Sequence, residues 1–304
     1  MATTDVGIVG AGFAGLAAAL TLRRHRHSVL LFNGGPCRNS WASEVHGYLG
    51  ARGLSGAEMW RTACEQAQEV GAEIVQASIA EARQEGDEFL LKAAQGPEWR
   101  VRRLLLATGV RDSYPDIDNF FDFYGRSVHN CPHCDAYEVR DKPVALVSWS
   151  EAMLPFATKL TQWTRELTVV TDGRSPELSP AERAKLDELG IPVLTQTVRC
   201  FEGADGQLSG LRFVDGSLLL VQAAFFNIAH EFETTLAQQL GCALTEGECI
   251  QQDEHMRTTV EGVWAAGDVT GEEQLVAVAA AQGVKAGIDI YRSFPTPDGE
   301  PTPE

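Results

Sequence analysis

The chain has 304 residues, of which 44% are apolar, so its length and composition fit a globular protein of two domains. Its net charge of −17 argues against a nucleic-acid-binding surface, because phosphate contacts need clustered Lys and Arg. No apolar run approaches the roughly 20 residues that span a bilayer, and the N-terminus enters a strand pattern without a secretory signal. We therefore predict a cytoplasmic protein that contacts neither nucleic acid nor membrane.

The first segment predicts a nucleotide-binding strand–helix–strand unit. A buried strand at 6–9 is followed by Gly10, Gly12 and Gly15 at the spacing GxGxxG, then by an Ala-rich helix and a second strand. Gly10 permits a tight turn, Gly12 lets the backbone approach a pyrophosphate, and Gly15 lets the helix pack closely. The helix N-terminus then faces the phosphates. At the end of the second strand, where an acid usually holds the ribose, stands Asn33, which is a weaker partner for a hydroxyl.

The next segments predict a helix, several strands and a domain crossing. Helical spacing of apolar residues at 56–70 precedes strand-like alternation at 73–93 and 99–106. The last of these strands ends in the tripeptide ATG. Glycine and proline then mark a crossing into another domain near 115.

One cysteine pair stands out in the sequence CPHCD. Cys131 and Cys134 lie two residues apart, whereas the other five of the seven cysteines are scattered. An odd number of cysteines with one close pair does not form the disulfide framework of a secreted protein. A zinc site would need further ligands, and the chain has no second CxxC, so no metal is predicted. A redox-active pair is the interpretation we favour.

Residues 143–171 repeat the opening strand–helix–strand plan without its glycines. The turn at 148–151 reads SWSE, so an indole and an acid stand where a phosphate would have to approach the backbone. The second strand is followed by Asp172 and a single Arg174 instead of a basic cluster. From about 241 a further strand ends in GD and leads to a long helix, and the Pro-rich acidic tail at 296–304 is expected to be disordered.

Four pieces, in this order, resemble the low-molecular-weight thioredoxin reductases: GAGFAG, the ATG strand end, CPHCD, and GVWAAGDV followed by QLVAVAAAQG. The resemblance extends to about residue 294. It implies an α/β protein with two nucleotide-binding, Rossmann-like domains, in which an inserted domain that bears the CxxC pair splits an FAD domain. Carried over, residues 1–115 and 241–295 form the FAD domain and 116–240 the insert. The resemblance also implies a homodimer.

The resemblance further implies FAD as cofactor and assigns residues to it. The expected FAD contacts are Gly10, Gly12, Ala14, Gly15, Asn33, Thr108, Gly109, Gly267, Asp268 and Gln274. Asp268 matches the acid that hydrogen-bonds the sugar-alcohol chain of the flavin, and Gln274 matches the residue at the start of the last helix, whose dipole faces the ring.

For the redox pair, the resemblance places Cys134 against the flavin and Cys131 toward the substrate. Asp135 matches an acid that moves protons to or from the thiols. His133, alongside the pair, is expected to help depress a thiol pKa, because the thiolate is the working nucleophile.

The predicted function is therefore an FAD-dependent thiol–disulfide oxidoreductase acting on a thioredoxin-like protein or a small dithiol or disulfide. The reductases bind NADPH at a second glycine turn with a basic cluster, and because this chain lacks both we expect it not to use NADPH. Three alternatives stay open: a dithiol oxidase that uses oxygen, an enzyme with a second FAD stacked on Trp149 in the former NADPH site, and a redox-sensing flavoprotein without turnover. Trp149 alternatively closes an empty groove.

Overall fold

A computed structural model describes residues 3–176 and 178–295 and divides the chain into two compact units. The outer unit comprises three segments of the chain: the part up to Ser40, Gly56–Arg111, and the part from Glu231 onward. The inserted unit comprises Trp41–Ser55 and Asp112–His230. The crossings thus fall at 111/112 and 230/231, where the sequence indicated 115 and 240. The loop 41–55, which the sequence boundaries left in the FAD domain, groups with the insert. The predicted tail, 296–304, lies outside the described residues.

The helices and strands are numbered along the chain. Before the main insertion they are β1 (Thr4–Val9), α1 (Phe13–Arg24), β2 (Val29–Asn33), α2 (Gly56–Glu69), β3 (Glu73–Gln76), β4 (Ile79–Glu85), β5 (Glu88–Ala93), β6 (Glu98–Leu106) and β7 (Val110–Asp112). They continue with α3 (Phe120–Phe123), β8 (Val128–His129), α4 (Pro132–Asp135), β9 (Val144–Val147), α5 (Met153–Leu160), β10 (Leu167–Val170), α6 (Pro180–Glu188), β11 (Val193–Leu194), β12 (Val198–Ala204), β13 (Gln207–Phe213), β14 (Leu218–Leu220), β15 (Ala223–Phe226) and β16 (His230–Phe232). The last are α7 (Thr235–Leu240), β17 (Val263–Ala265) and α8 (Val276–Arg292).

The outer unit is built on one sheet that runs β3-β2-β1-β6, with all four strands parallel. The far edge of β6 pairs antiparallel with β5 along its first half and parallel with β17 along its second half. Val9, at the end of β1, is in register with Leu106, which in turn pairs with Ala265. The carboxyl ends of three strands therefore meet at one edge, where ligands of α/β sheets bind.

Alternation along the strands of the outer unit creates two apolar cores. Ile8 and Leu31 point into a core shared with α1, α2 and α8, whereas Val9 and Phe32 point into a core shared with the β4–β5 hairpin and α7. Because successive strand residues face opposite sides, a continuous apolar run is what a sheet covered on both faces requires. The short apolar runs in the sequence are therefore the strands of the central sheet, which is the middle layer of this unit.

The inserted unit has a parallel five-stranded sheet in the order β11-β10-β9-β15-β8. A separate antiparallel sheet joins β12, β13 and β14. The central strand β9 is buried at all four positions, which matches its unbroken apolar sequence VALV. This unit is the second nucleotide-binding-type fold that the sequence predicted.

Candidate active site

The glycine turn after β1 has the geometry of an anion cradle. Gly10 has φ +110°, and a Cβ there would collide with the carbonyl oxygen of Ala107, while a Cβ on Gly15 would collide with the carbonyl oxygen of Gly10. Around Gly12, by contrast, a Cβ would meet no described atom within 4 Å. Gly12 is also the N-cap of α1, which has no side-chain cap and no acid in its first turn. The turn therefore fits a pyrophosphate at the start of α1.

Asp268 and Gln274 are brought together by a residue that the sequence reasoning missed. Arg38 Nη1 donates to Asp268 Oδ2 at 2.9 Å and to Gln274 Oε1 at 2.7 Å. Gly267, with φ +85°, turns the chain directly before Asp268. Arg38 lies in the loop between β2 and α2. No local pattern in the sequence distinguished Arg38 from Arg52, the other arginine of that loop.

Other residues predicted to contact FAD make hydrogen bonds or packing contacts within the outer unit. Asn33 Nδ2 donates to Gln76 Oε1 at 3.0 Å, and Thr108 Oγ1 donates to the carbonyl oxygen of Glu233 at 2.6 Å. Ala14 lies in close contact with α8, since a Cβ on Gly283 would collide with its carbonyl oxygen. Gly109 has φ +74° and lies directly before β7. The side chains of Asn33 and Thr108 are thus already hydrogen-bonded within the outer unit.

Cys131 and Cys134 form a disulfide at the start of the short helix α4, with a Cα–Cα distance of 5.3 Å. Cys131 is the N-cap, and the backbone N–H of Cys134 donates to Cys131 Sγ at 3.2 Å. Pro132 takes the first helical position, where its missing N–H costs no hydrogen bond. The predicted cysteine pair is thus bonded, and the sulfur of Cys131 already has a donor.

Asp135 lies between two imidazoles of the inserted unit. Its carboxylate stands 3.4 Å from His129 Nδ1 and 3.2 Å from His46 Nδ1, and its side chain is 16% exposed. Burial acts to raise the pKa of Asp135, but the hydrogen bonds and charges of His129 and His46 outweigh it and hold that pKa below its ordinary value. Asp135 is therefore a carboxylate at neutral pH.

His133 has a different neighbour. Lys159 Nζ donates to His133 Nε2 at 3.2 Å, whereas the imidazoles beside Asp135 are those of His129 and His46. His129 precedes Cys131 by two residues, which was a usable signal. His46 is 89 residues from Asp135, and no local pattern in the sequence could place it there.

The SWSE turn after β9 is filled by its own side chains. The buried hydroxyl of Ser148 donates to the carbonyl oxygen of Asn227 at 2.6 Å. The Arg174 guanidinium lies 3.7 Å from the centre of the Trp149 ring, and its Nη1 lies 2.8 Å from Asp172 Oδ2. The basic residue that follows β10 is thus held by a carboxylate and an indole of the same unit.

Comparison with known proteins decides the family. The sequence profile of the pyridine nucleotide-disulphide oxidoreductases matches residues 4–283. The chain belongs to this family. Thioredoxin reductase of Aquifex aeolicus is 27% identical over 296 residues, which is 94% of this chain and 92% of that protein. The crystal structure of HlmI is 29% identical with a TM-score of 0.88, covering 95% of this chain and 91% of that one. The putative thioredoxin reductase TrxB of Bacillus anthracis is 28% identical with a TM-score of 0.84, covering 94% and 97%.

As a pyridine nucleotide-disulphide oxidoreductase similar to thioredoxin reductases, the chain is a flavoprotein disulfide oxidoreductase. This confirms the predicted family, fold class and enzyme class, and it implies FAD for the cradle described above. Among residues 3–176 and 178–295, no helix combines the length and apolar character needed to cross a membrane. In the same residues, no cluster of three or more His, Cys, Asp or Glu side chains is arranged to hold a metal ion.

Proposed function

We propose that this enzyme exchanges two electrons between bound FAD and the Cys131–Cys134 pair, and between the pair and a dithiol or disulfide, without using NADPH. The thiol substrate would be a thioredoxin-like protein or a small molecule, in line with the names of the relatives. The arrangement of Trp149, Arg174 and Asp172 is the observation that carries the independence from NADPH.

The outer unit offers the residues that would hold FAD. Gly12 and the N-terminus of α1 would receive the pyrophosphate, because the backbone there is open to close approach. Asp268, held by Arg38, would accept hydrogen bonds from the sugar-alcohol chain. Gln274 would stand at the ring end of the cofactor. When bound, FAD supplies a two-electron acceptor and donor for the disulfide.

The two cysteines would have different roles in electron transfer. Cys131 would meet the substrate, since its sulfur accepts the N–H of Cys134 and that hydrogen bond also stabilises a thiolate. Cys134 would face the flavin. A thiolate at Cys131 can attack a substrate disulfide, and in the opposite direction a substrate thiolate can attack Cys131.

The turn after β9 opposes a dinucleotide for three reasons. A phosphate needs close backbone approach, which Trp149 at that turn obstructs. The carboxylate of Glu151 stands in the same turn and would repel the phosphate. Arg174, the basic residue available to a 2′-phosphate, is bound to Asp172 and stacked on Trp149. Arg174 also covers one face of that indole, which leaves less room for a stacked second flavin.

Anaerobic stopped-flow mixing tests the proposal directly. The flavin absorbance is followed after mixing with NADPH, NADH, reduced ferredoxin and dithiothreitol in turn. We expect bleaching by dithiothreitol, no rapid bleaching by either nicotinamide nucleotide, and loss of the dithiol reaction in Cys134→Ser but not in the control Cys64→Ser. Rapid bleaching at micromolar NADPH would refute the independence from NADPH. A ratio of two FAD per chain would favour the enzyme with a second flavin, and oxygen consumption with a dithiol would favour the oxidase.

The compartment and the oligomeric state are also part of the proposal. We propose a cytoplasmic homodimer, following the resemblance to the reductases, and light scattering at the exit of a sizing column measures the mass. A mass of about 33 kDa, that of one chain, would refute the dimer.

A further inference from the structure

Gln282 is a buried polar residue on a helix whose neighbouring residues are small. It lies in the middle of α8, in the stretch AAAQG, and it is 7% exposed. An amide that is removed from water has to regain its hydrogen bonds inside the protein, whereas a leucine could fill similar space without that requirement. A role for Gln282 must therefore come from the groups that its amide contacts.

The Gln282 amide closes a ring of hydrogen bonds with the turn that follows β17. The backbone N–H of Gly267 donates to Gln282 Oε1 at 2.6 Å, and Gln282 Nε2 donates to Thr270 Oγ1 at 3.3 Å. The Thr270 hydroxyl in turn donates to the carbonyl oxygen of Gly267 at 2.9 Å. Both backbone polar groups of Gly267 are thus held by these two side chains, and Asp268 lies within the segment that the ring closes.

Gly267 has a backbone conformation that needs such support. Its φ of +85° and ψ of −161° fall in a region that is open essentially to glycine alone. Conformations of this kind persist where the surrounding structure over-determines them, and they are concentrated at active sites and ligand-binding sites. The ring of hydrogen bonds supplies that constraint from α8.

The same turn lies beside the anion cradle. A Cβ on Gly267 would come within 2.9 Å of the Cβ of Ala14, which is in the first turn of α1, two residues after Gly12. A Cβ on Gly283, the residue after Gln282, would collide with the carbonyl oxygen of Ala14. The first turn of α1, the turn at Gly267 and the middle of α8 are therefore in direct contact.

We propose that Gln282 is a positioning residue for FAD, which acts through the backbone of Gly267 to hold the turn that carries the Asp268 carboxylate. This inference rests on the proposed function, in which Asp268 accepts hydrogen bonds from the sugar-alcohol chain of the cofactor. Arg38 Nη1 lies 2.9 Å from Asp268 Oδ2. Arg38 thus fixes the side chain of Asp268, and Gln282 fixes the backbone from which that side chain extends.

The expected effect on FAD affinity comes from the ordering of the turn. With Gln282 present, the turn has its conformation before the cofactor binds, so that binding does not have to order it. Without the amide, the backbone of the turn gains conformational freedom that binding must then remove. Ordering a single backbone residue is enough to change the dissociation constant about tenfold.

A double-mutant cycle on the full-length holoprotein tests the proposal. Each variant is diluted at room temperature, free FAD is separated by ultrafiltration and measured by fluorescence, and the bound fraction at several dilutions gives the dissociation constant. The variants are Gln282→Met, Asp268→Ala and the two combined. Methionine keeps a long unbranched side chain and removes the amide. Asp289→Ala is the matched control, because it also removes a buried polar contact of α8, but its partners are Arg257 and Trp264.

We expect Gln282→Met to weaken FAD binding about tenfold. Asp268→Ala should weaken it by at least as much, since it removes charge-assisted hydrogen bonds. The double variant should lose clearly less than the product of the two single losses, because Gln282 acts through Asp268. Asp289→Ala should lower the unfolding midpoint but leave FAD affinity at room temperature unchanged. If circular dichroism shows that Gln282→Met does not fold, Thr270→Val, which removes the hydroxyl from the ring, takes its place in the cycle.

The contrary results separate the inference from the proposed function. Unchanged FAD affinity in Gln282→Met, losses that multiply in the double variant, or an equal loss in Asp289→Ala would overturn the inference and leave the proposed function intact. Unchanged affinity in Asp268→Ala would remove Asp268 from the proposed cofactor site and overturn the inference with it. A wild-type chain that takes up no FAD on reconstitution would overturn the proposed function itself.

Discussion

Replacement of Asp289 by alanine is expected to destabilise the outer unit through its last helix. Asp289 lies on α8 with a side chain only 4% exposed. It accepts hydrogen bonds from Arg257 Nε at 2.6 Å, from Arg257 Nη2 at 2.7 Å and from Trp264 Nε1 at 2.8 Å. One carboxylate thus ties α8 to β17 and to the segment before it.

The magnitude follows from what the substitution leaves behind. The indole N–H of Trp264 would be buried without an acceptor, at a cost of about 1–3 kcal/mol. Arg257 is 53% exposed, so water can solvate it, and its share is nearer the roughly 1 kcal/mol of a surface pair than the loss of a buried one. A total of about 2–4 kcal/mol corresponds to a fall in the unfolding midpoint of about 5–15 °C for a unit of this size.

The pH dependence has a definite sign. Burial acts to raise the pKa of Asp289, but hydrogen bonds from Arg257 and Trp264 hold it below its ordinary value. A depressed folded-state pKa gives stabilisation that is complete above the unfolded value of about 3.9 and is lost as the pH falls through the folded value. The stabilities of wild type and variant should therefore converge in acid.

Thermal unfolding of the holoprotein, followed by circular dichroism and by flavin release, measures the effect. Asp289→Asn should lose less than Asp289→Ala, because an amide oxygen still accepts from Trp264. Glu65→Gln, which breaks an exposed pair with Arg61, serves as the control and should change the midpoint little. A midpoint for Asp289→Ala within about 2 °C of wild type at pH 7, or an undiminished difference at pH 3, would refute the reasoning.

Three further outcomes are expected. Gly15→Ala should yield protein without FAD, measured as flavin absorbance per chain, because the new methyl group collides with backbone; Gly12→Ala should keep the fold and weaken FAD retention only, and equal retention in both variants would contradict this. Cys131→Ser should show a long-wavelength charge-transfer band in the oxidised flavoprotein, and its absence would place Cys134 away from the ring. Trp149→Gly should not by itself restore rapid reduction by NADPH, since the carboxylate at Glu151 remains, so rapid reduction in this variant would identify the indole as the sole obstacle.

Local patterns in the sequence predicted much of the fold and part of the candidate site. The glycine turn, the strand at Val6–Val9 and the bonded pair Cys131–Cys134 each depend on residues within a short window, where spacing alone limits the geometry. The predicted helix at 56–70 corresponds to α2, Gly56–Glu69. Their agreement with the structure reflects physics that acts over a few residues.

The contacts that the sequence could not supply join distant segments. Arg38 reaches Asp268 across 230 positions, and His46 reaches Asp135 across 89, so no window contains both partners. The ring of His133, which was expected to act on the thiols, lies against Lys159, and its effect on a thiol pKa stays a prediction. Tertiary placement, which propensity and spacing do not encode, decides which imidazole meets the carboxylate.

The pairing of β17 with β6 and the packing of α8 on α1 have a consequence for synthesis on the ribosome. Both β17 and α8 are translated after the whole inserted unit. Until then, the edge of β6 that pairs with β17 and the face of α1 that packs on α8 are uncovered in the nascent chain. The inserted sheet, from β8 to β15, has by then emerged completely and can fold on its own schedule. A ribosome stalled once β15 has left the exit tunnel, but before α8 is translated, should therefore carry a protease-resistant insert and a more readily cleaved N-terminal segment.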